Sequence, residues 1–169
     1  MSESAPTSES TVESDLLPTN FVGTTMAGVQ NEDGKFRIYF QNKDYQIYQM
    51  SLNDPRSRAY TLLKLTTTIV PPARINTPIA AVAWKNLQEI RVYYITAASQ
   101  VQEIVYSQRS GWKKGEMLGT AVENCACLYA QGRFTTNEVF LRVGFQSAID
   151  SQTITEAYTL RDGWKTRVF

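Results

Sequence analysis

The hydrophobic and polar positions of this chain follow the period of a β-strand rather than that of a helix. Short runs rich in Val, Ile, Tyr, Phe and Thr, such as residues 36–40 and 90–94, alternate with clusters of turn residues. No stretch keeps its apolar residues at the 3.6-residue spacing of an amphipathic helix. From about residue 21 onward, the pattern therefore predicts an all-β protein.

The predicted strands fall into three repeating units. The segments FRIYF, IRVYY and LRVGF carry Arg37, Arg91 and Arg142 at the same place, and these arginines are 54 and 51 residues apart. A strand with small residues precedes each segment, and a second apolar strand follows it. Four short strands in about 50 residues is the size of a β-propeller blade, whose innermost strand lies in the crowded centre of the ring.

This periodicity divides the chain into four parts. Residues 1–17 are rich in Ser, Thr and Glu, and we expect a disordered tail there. Residues 18–169 form the predicted half-propeller, with four-stranded blades at about 21–74, 75–121 and 122–169. Propellers have four to eight blades, and an open half-ring would expose two apolar blade faces. We therefore expect a homodimer that completes a six-bladed ring.

The composition removes several classes of function. The chain has no histidine, and its two cysteines, Cys125 and Cys127, lie too close in sequence to pair, so we expect both to be small buried residues. We predict no metal site and no cofactor. The balance of 17 basic and 16 acidic residues argues against nucleic acid, and no apolar run reaches the ~18–20 residues needed for membrane insertion. Without a signal peptide in this sequence, we expect a cytoplasmic or non-classically secreted protein.

Each unit also places an acid or amide near its arginine. Arg91 and Glu103 are equidistant from Ala97, and Arg142 and Glu156 are symmetric about residue 149. In antiparallel hairpins centred on these positions, the two side chains would be direct cross-strand neighbours. An ion pair that only links two strands explains any single pair of this kind.

Repetition favours a binding role. Arg37 and Gln46 flank the corresponding turn of the first unit, and Trp112 and Trp164 follow in two Gly-Trp-Lys segments. Guanidinium donors, a carboxylate or amide acceptor and an indole plane are the groups that bind a sugar. Simple packing remains the alternative for both tryptophans, and Trp84 is assigned to the core.

These motifs resemble a known family. Over about residues 21–169, the chain is similar to the repeat of fungal fucose-specific lectins of the Aleuria aurantia type. The similar segments are IAAVAW, IRVYY, VQEIVY and SGWKKGEML in the second unit, LRVGF, ITEAYTL and DGWK in the third, and FRIYFQ and YQIYQ in the first. That family carries a complete six-bladed propeller in one chain. The resemblance implies metal-independent, multivalent recognition of L-fucose-containing glycans in pockets between adjacent blades.

The resemblance also implies the sugar-binding residues. In the family, one blade supplies Arg with Glu or Gln, and the next blade supplies Trp with a preceding Tyr. The implied sites are Arg91 and Glu103 with Trp164 and Tyr158, and Arg37 and Gln46 with Trp112 and Tyr106. A third pair, Arg142 and Glu156, would face the partner's first blade, and we expect it to be weak or empty.

The sequence also bears on two other classes of function, an enzyme and a protein-interaction module. The sialidase box S-x-D-x-G-x-x-W is absent, since residues 107–112 read SQRSGW, and each unit has one carboxylate where a glycosidase needs two. We therefore predict that the protein is not an enzyme. A propeller that has lost sugar binding and serves as a protein-interaction module remains the alternative, because the first unit is divergent.

Overall fold

The protein consists of three antiparallel sheets in a computed structural model, which describes residues 16–18, 24–66 and 70–169. Each sheet has four strands in chain order, and we call the sheets blades 1, 2 and 3. The strands are β1 (Met26–Gln30), β2 (Phe36–Gln41), β3 (Ile47–Leu52), β4 (Thr61–Lys64), β5 (Ile79–Trp84), β6 (Glu89–Ile95), β7 (Gln100–Ser107), β8 (Gly111–Thr120), β9 (Leu128–Phe134), β10 (Val139–Phe145), β11 (Thr155–Leu160) and β12 (Gly163–Val168).

The all-β prediction with three four-stranded blades is confirmed. Most of the expected N-terminal tail, residues 1–15, lies outside the described residues. Within the part that the structure describes, no helix is long and apolar enough to cross a membrane.

The inner strands of the three blades lie side by side, with β5 between β1 and β9. Small residues such as Ala27 and Ala81 allow this approach, as the sequence predicted. One difference concerns β9, which begins at Leu128, so Cys125 and Cys127 precede the strand. Both thiols are free; Cys125 is buried, but Cys127 is exposed, so the prediction that both are buried is wrong for Cys127.

Two hydrophobic clusters hold the blades together. Tyr39 and Ile47 of blade 1 pack with Val92 of blade 2, while Tyr93 of blade 2 packs with Val143 of blade 3. All five side chains are completely buried. Burying a large apolar side chain contributes about 1.5–3 kcal/mol, so these clusters fix the spacing of the blades.

The two terminal blade faces are unlike each other. On blade 1, the side chains that alternate with the buried Tyr39 are apolar, as in Ile38 and the half-exposed Met26. The terminal face of blade 3 is the opposite side of the blade, which carries Arg133 and Arg142, so the prediction of two apolar faces is wrong for this blade. Blade 3 therefore presents charge where blade 1 presents hydrocarbon.

Candidate functional site

The strand register differs from the prediction by two residues. Arg91 lies opposite Val105, and Glu103 lies opposite Tyr93, so the expected direct pairing of Arg91 with Glu103 is wrong. Side chains two residues apart on a strand share a face. Arg91 Nε consequently still lies 3.7 Å from Glu103 Oε1.

The same displacement occurs in blade 3. Arg142 lies opposite Tyr158, and Glu156 lies opposite Gly144, so the predicted direct pairing of Arg142 with Glu156 is also wrong. Arg142 Nη1 nevertheless lies 3.5 Å from Glu156 Oε1. The diagonal Arg–acid contact is therefore a repeated feature of the blades.

A five-residue turn sets this register in blades 1 and 2. The Asn42 N–H donates to the Gln46 carbonyl at 2.9 Å, and the Thr96 N–H donates to the Gln100 carbonyl at 2.8 Å. The fourth turn residue has a positive φ in both cases, 60° at Tyr45 and 59° at Ser99. A residue other than glycine in the left-handed conformation cannot be recognised from the sequence. The sequence therefore predicts the wrong centre for these hairpins.

In blade 1, the acceptor is Gln49 rather than Gln46. Gln49 lies opposite Tyr39, two positions beyond Arg37, just as Glu103 lies opposite Tyr93. Gln46 lies in the turn, where its Oε1 accepts a hydrogen bond from the Thr66 hydroxyl at 2.7 Å. The sequence spacing indicates this equivalence, because Gln49 follows Arg37 by 12 residues and Glu103 follows Arg91 by 12.

Backbone carbonyls fix the two arginines in the same pose. Arg37 Nη1 donates to the carbonyl of the residue before it at 2.8 Å and to that of Leu52 at 3.5 Å. Arg91 Nη1 makes the equivalent bonds, at 2.9 Å and, to Tyr106, at 3.2 Å. Arg91 Nη1 also lies 3.6 Å from Glu89 Oε2, whereas Nη2 of both arginines has no hydrogen bond to the described residues and keeps its donor capacity.

A buried tyrosine orients each acceptor. The Tyr39 hydroxyl donates to Gln49 Oε1 at 2.9 Å, and the Tyr93 hydroxyl donates to Glu103 Oε1 at 3.1 Å. Burial, followed by the charge of Glu103, raises the pKa of Tyr93 well above its ordinary value. Burial also raises the pKa of Glu103, against the opposing effects of the Glu116 N–H and the Arg91 guanidinium. Glu103 is thus a desolvated acceptor held in one position.

Each acceptor–tyrosine pair meets a tryptophan of the next blade. The Trp112 ring lies 6.1 Å from the Tyr39 ring at 76°, and the Trp164 ring lies 6.3 Å from the Tyr93 ring at 85°. The Tyr106 ring is 5.1 Å from Trp112. The structure therefore brings Arg, acceptor and Trp together at both blade interfaces in nearly the same geometry.

The structure does not bring Tyr158 to Trp164. Trp164 lies opposite Thr159, whereas Tyr158 projects from the other face of β11, beside Arg142 and Arg167. Tyrosine and tryptophan are six residues apart in both blades, but the turn before β12 is one residue shorter than the turn before β8. In blade 3, the tyrosine six residues before Trp164 therefore lies on the face of the sheet opposite to Trp164. Thr159 occupies the place that Tyr106 has in blade 2.

Trp84 contributes more than packing. It is partly buried against the core, as expected, but its ring also lies 4.8 Å from Arg91 Cζ and stacks on Phe134 at 4.9 Å. The equivalent residues of the other blades are Asn31 and Arg133, so no repeat signal marked the position. With Trp84 over it, the Arg91 side chain is only 17 % exposed.

Blade 3 obtains its tyrosine from a different strand. In blades 1 and 2 the tyrosine is on the second strand, opposite Ala27 or Ala80 on the first. In blade 3 the second strand has Gly144, and Tyr129 of the first strand donates to Glu156 Oε2 at 2.8 Å. A Cβ at Gly144 would lie 1.9 Å from the Tyr129 ring, so the glycine makes room for it.

The interface of blades 1 and 2 opens onto a cleft of about 350 Å³. Arg37 and Tyr106 line it together with carboxamides, among them Asn53, Asn86 and Gln108. Clefts of this size accept small ligands. Among residues 16–18, 24–66 and 70–169, no three His, Cys, Asp or Glu side chains are grouped so that they could hold a metal ion.

Comparison with known proteins agrees with this architecture. The family model described as fungal fucose-specific lectin matches residues 20–168. A fucose-specific lectin of Aspergillus oryzae is 28% identical over 140 residues, which are 80% of this chain and 42% of that lectin. This chain therefore spans less than half the length of that relative.

Solved structures show the same fold. The Aleuria aurantia lectin, described as a six-bladed β-propeller with a novel fucose recognition mode, superposes with a TM-score of 0.69 at 24% identity over 90% of this chain and 51% of its own. A variant of the lectin AofleA from Arthrobotrys oligospora gives 0.71 at 19% identity over 95% and 46%. With three blades, a repeated inter-blade constellation and a family match from residue 20 to residue 168, the chain belongs to the fungal fucose-specific lectin family.

Proposed function

We propose that this protein binds L-fucose-containing glycans in the pockets between adjacent blades, without a metal ion and without converting the sugar. The observation that carries the proposal is the repeated geometry: Tyr39 with Trp112, and Tyr93 with Trp164, meet edge to face at nearly the same distance, 6.1 and 6.3 Å, across two interfaces. Packing alone does not require an arginine and a carboxamide or carboxyl acceptor beside both pairs. The fucose specificity of the Aspergillus and Aleuria relatives supports the choice of sugar.

The groups at each interface match the chemistry of a deoxy sugar. The free N–H groups of Arg37 or Arg91 donate to sugar oxygens, and Gln49 or Glu103 accepts from sugar hydroxyls. The indole beside them covers the methyl group or C–H face of the ring. An amide both donates and accepts, so the site with Gln49 tolerates a ligand oxygen that the site with Glu103 repels.

The decisive experiment is a calorimetric titration with methyl α-L-fucoside. Arg37→Ala and Arg91→Ala should each weaken binding at one site by at least about tenfold, the value of one charge-assisted hydrogen bond. Arg56→Ala is the matched control, because Arg56 is exposed in the loop between β3 and β4. Melting curves of each variant report whether the fold is intact.

Two outcomes separate binding from structure. If Arg37→Ala and Arg91→Ala keep both affinity and stoichiometry, the arginines serve only the strands and the site assignment is wrong. If they lower the melting temperature and the folded fraction still binds normally, the same conclusion follows. Loss of binding with an unchanged melting temperature supports the proposal.

We also propose that a second copy of the chain completes a six-bladed ring. Met26 is 54% exposed on the terminal face of blade 1, and solved relatives carry about twice this length in one chain. Face-to-face packing of blade 1 on blade 3 of the other copy would bury both terminal faces, with two-fold symmetry.

Light scattering tests this assembly. The dimer should have twice the 19.1 kDa mass of the chain, and Met26→Glu should shift it toward the monomer by placing a charge in the interface. Met117→Glu is the control, because Met117 is equally exposed, at 49%, but lies on the outer strand of blade 2. A monomer mass at all micromolar concentrations contradicts the proposal.

A further inference from the structure

Blade 3 has an additional arginine beside its acceptor. Arg167 of β12 lies opposite Glu156, and its Nη2 and Nε donate to Glu156 Oε1 at 2.8 and 3.0 Å. The corresponding residue opposite Gln49 in blade 1 is Leu63, and no arginine lies opposite Glu103 in blade 2. With Tyr129 on Oε2, both carboxylate oxygens of Glu156 already accept from the protein.

Three arginines converge on one cleft of this face. Arg133, Arg142 and Arg167 line a cavity of about 270 Å³, together with Phe140 and Tyr158. The Arg142 and Arg167 side chains are 50% and 42% exposed, so their guanidinium groups are accessible to a ligand. The cavity is therefore both cationic and open.

The charges in this cleft do not balance. Among the described residues, Glu156 is the carboxylate within ion-pair distance of Arg142 and Arg167, and none lies within that distance of Arg133. The nearby Glu138 is paired with Arg161 at 2.9 Å. Three positive charges thus share one negative charge, and the donors far outnumber the acceptors.

From this excess we infer that the blade 3 cleft binds an anionic sugar, one that carries a sulfate ester or a carboxylate. Guanidinium groups match the several oxygens of such anions in a bidentate fashion. The rings of Phe140 and Tyr158 lie under Arg133 and Arg167, with ring centroids 5.9 and 5.3 Å from Cζ, and so help to hold these guanidinium groups at the cleft. A neutral sugar can accept hydrogen bonds from these arginines, but it brings no negative charge and leaves the two excess positive charges of the cleft uncompensated.

Ring closure strengthens the argument, which rests in this step on the proposed assembly. Strands β1–β4 of the blade 1 that would cover the cleft contain no Asp or Glu. Closure would then desolvate two excess positive charges, and the strands that cover them supply no counter-charge, so the desolvation is costly. A bound anion supplies the missing charge, so anionic ligand and assembly should stabilise each other.

Calorimetry on the full chain with three probes tests the inference: methyl α-L-fucoside, a sulfated fucoside and a sialylated fucosyl oligosaccharide. The sulfated or the sialylated probe should fill one more site per chain than the neutral probe. Arg142→Gln and Arg133→Gln should each weaken that extra site by at least about tenfold. Arg56→Gln is the control, because Arg56 is exposed in the loop between β3 and β4, outside the cleft.

The salt dependence of binding provides a second readout. Raising the salt concentration from about 0.05 to 0.5 M should weaken binding of the anionic probe at the extra site more than binding of the neutral probe at the other sites. Equal stoichiometry for neutral and anionic probes overturns the inference and leaves the proposed fucose binding intact. An Arg142-dependent anionic site without neutral fucoside binding supports the inference and refutes the proposed function. Binding of neither class overturns both, and the two anionic probes distinguish sulfate from carboxylate.

Discussion

Removing one hydroxyl group from each of two equivalent tyrosines gives a matched test of how the acceptors are held. Tyr93→Phe deletes the donor to Glu103, and Tyr39→Phe deletes the donor to Gln49. Both rings are completely buried, and phenylalanine leaves the ring packing unchanged. The two substitutions therefore differ mainly in the charge of the acceptor that loses its partner.

The expected costs follow from that charge. A hydrogen bond to an ionised group contributes about 1.5–3 kcal/mol, and one to a neutral group about 0.5–1.5 kcal/mol. At pH 7, Tyr93→Phe should therefore lower the free energy of unfolding by more than Tyr39→Phe does. For a domain of this size, each kcal/mol corresponds to about 2–4 °C in melting temperature.

The pH dependence has a definite sign. Burial raises the folded-state pKa of Glu103 above its ordinary value of 4.5. Its contribution to stability is therefore fully present below that value and is lost as pH rises through the folded-state pKa. The Tyr93 hydrogen bond opposes this rise, so Tyr93→Phe should raise the pKa of Glu103 further and enlarge the loss at neutral pH.

Urea denaturation of both variants at pH 4 and pH 7 provides the measurement. The cost of Tyr93→Phe should be larger at pH 7 than at pH 4, and that of Tyr39→Phe should be the same at both, since Gln49 does not titrate. Equal costs for the two variants at pH 7, or a cost of Tyr93→Phe that falls as pH rises, would refute the reasoning.

Three other outcomes are expected. Gly144→Ala should destabilise the protein by about 1–3 kcal/mol, because its Cβ would meet the Tyr129 ring, and urea denaturation should show that adding Tyr129→Ala relieves part of this cost. Thr159→Tyr should tighten fucoside binding beside Trp164, since it restores the tyrosine that blade 2 has there; unchanged affinity in calorimetry argues against that role. Treatment with EDTA should leave fucoside binding unaltered, and loss of binding that calcium restores would mean that the site is elsewhere.

The spacing of the three arginines was sufficient to predict the blades. The arginines recur about every 50 residues because each blade has the same four strands in the same order. That order brings the arginine of each blade to the same place in the sheet. The Trp112 and Trp164 positions also followed from sequence, since Gly111 and Gly163 precede them with φ of 68° and 107°. Such turns favour glycine, so the repeat of Gly-Trp-Lys had a structural cause.

The predicted site residues differ from the structure where the length of a turn determines which face of the sheet a side chain occupies. The prediction of Gln46 rests on a hairpin centre that the structure places elsewhere, although the 12-residue separation indicates Gln49. Tyr158 was misassigned because one residue fewer in a turn reverses the face of every later side chain. Trp84 and Tyr129 have no counterparts at the same places in the other blades, so no comparison of repeats could find them.

The strand order has a consequence for how the terminal blades are recognised. Because each ladder is contained within its own blade, the two terminal surfaces are sheet faces, and the unpaired backbone N–H and C=O groups lie along the outer edges of β4, β8 and β12 instead. Sheet edges join almost any strand, which is how fibrils propagate. A face presents only side chains, so docking there depends on shape and charge that substitutions can change. Self-association through the terminal faces is thus limited to contacts that the sequence itself specifies.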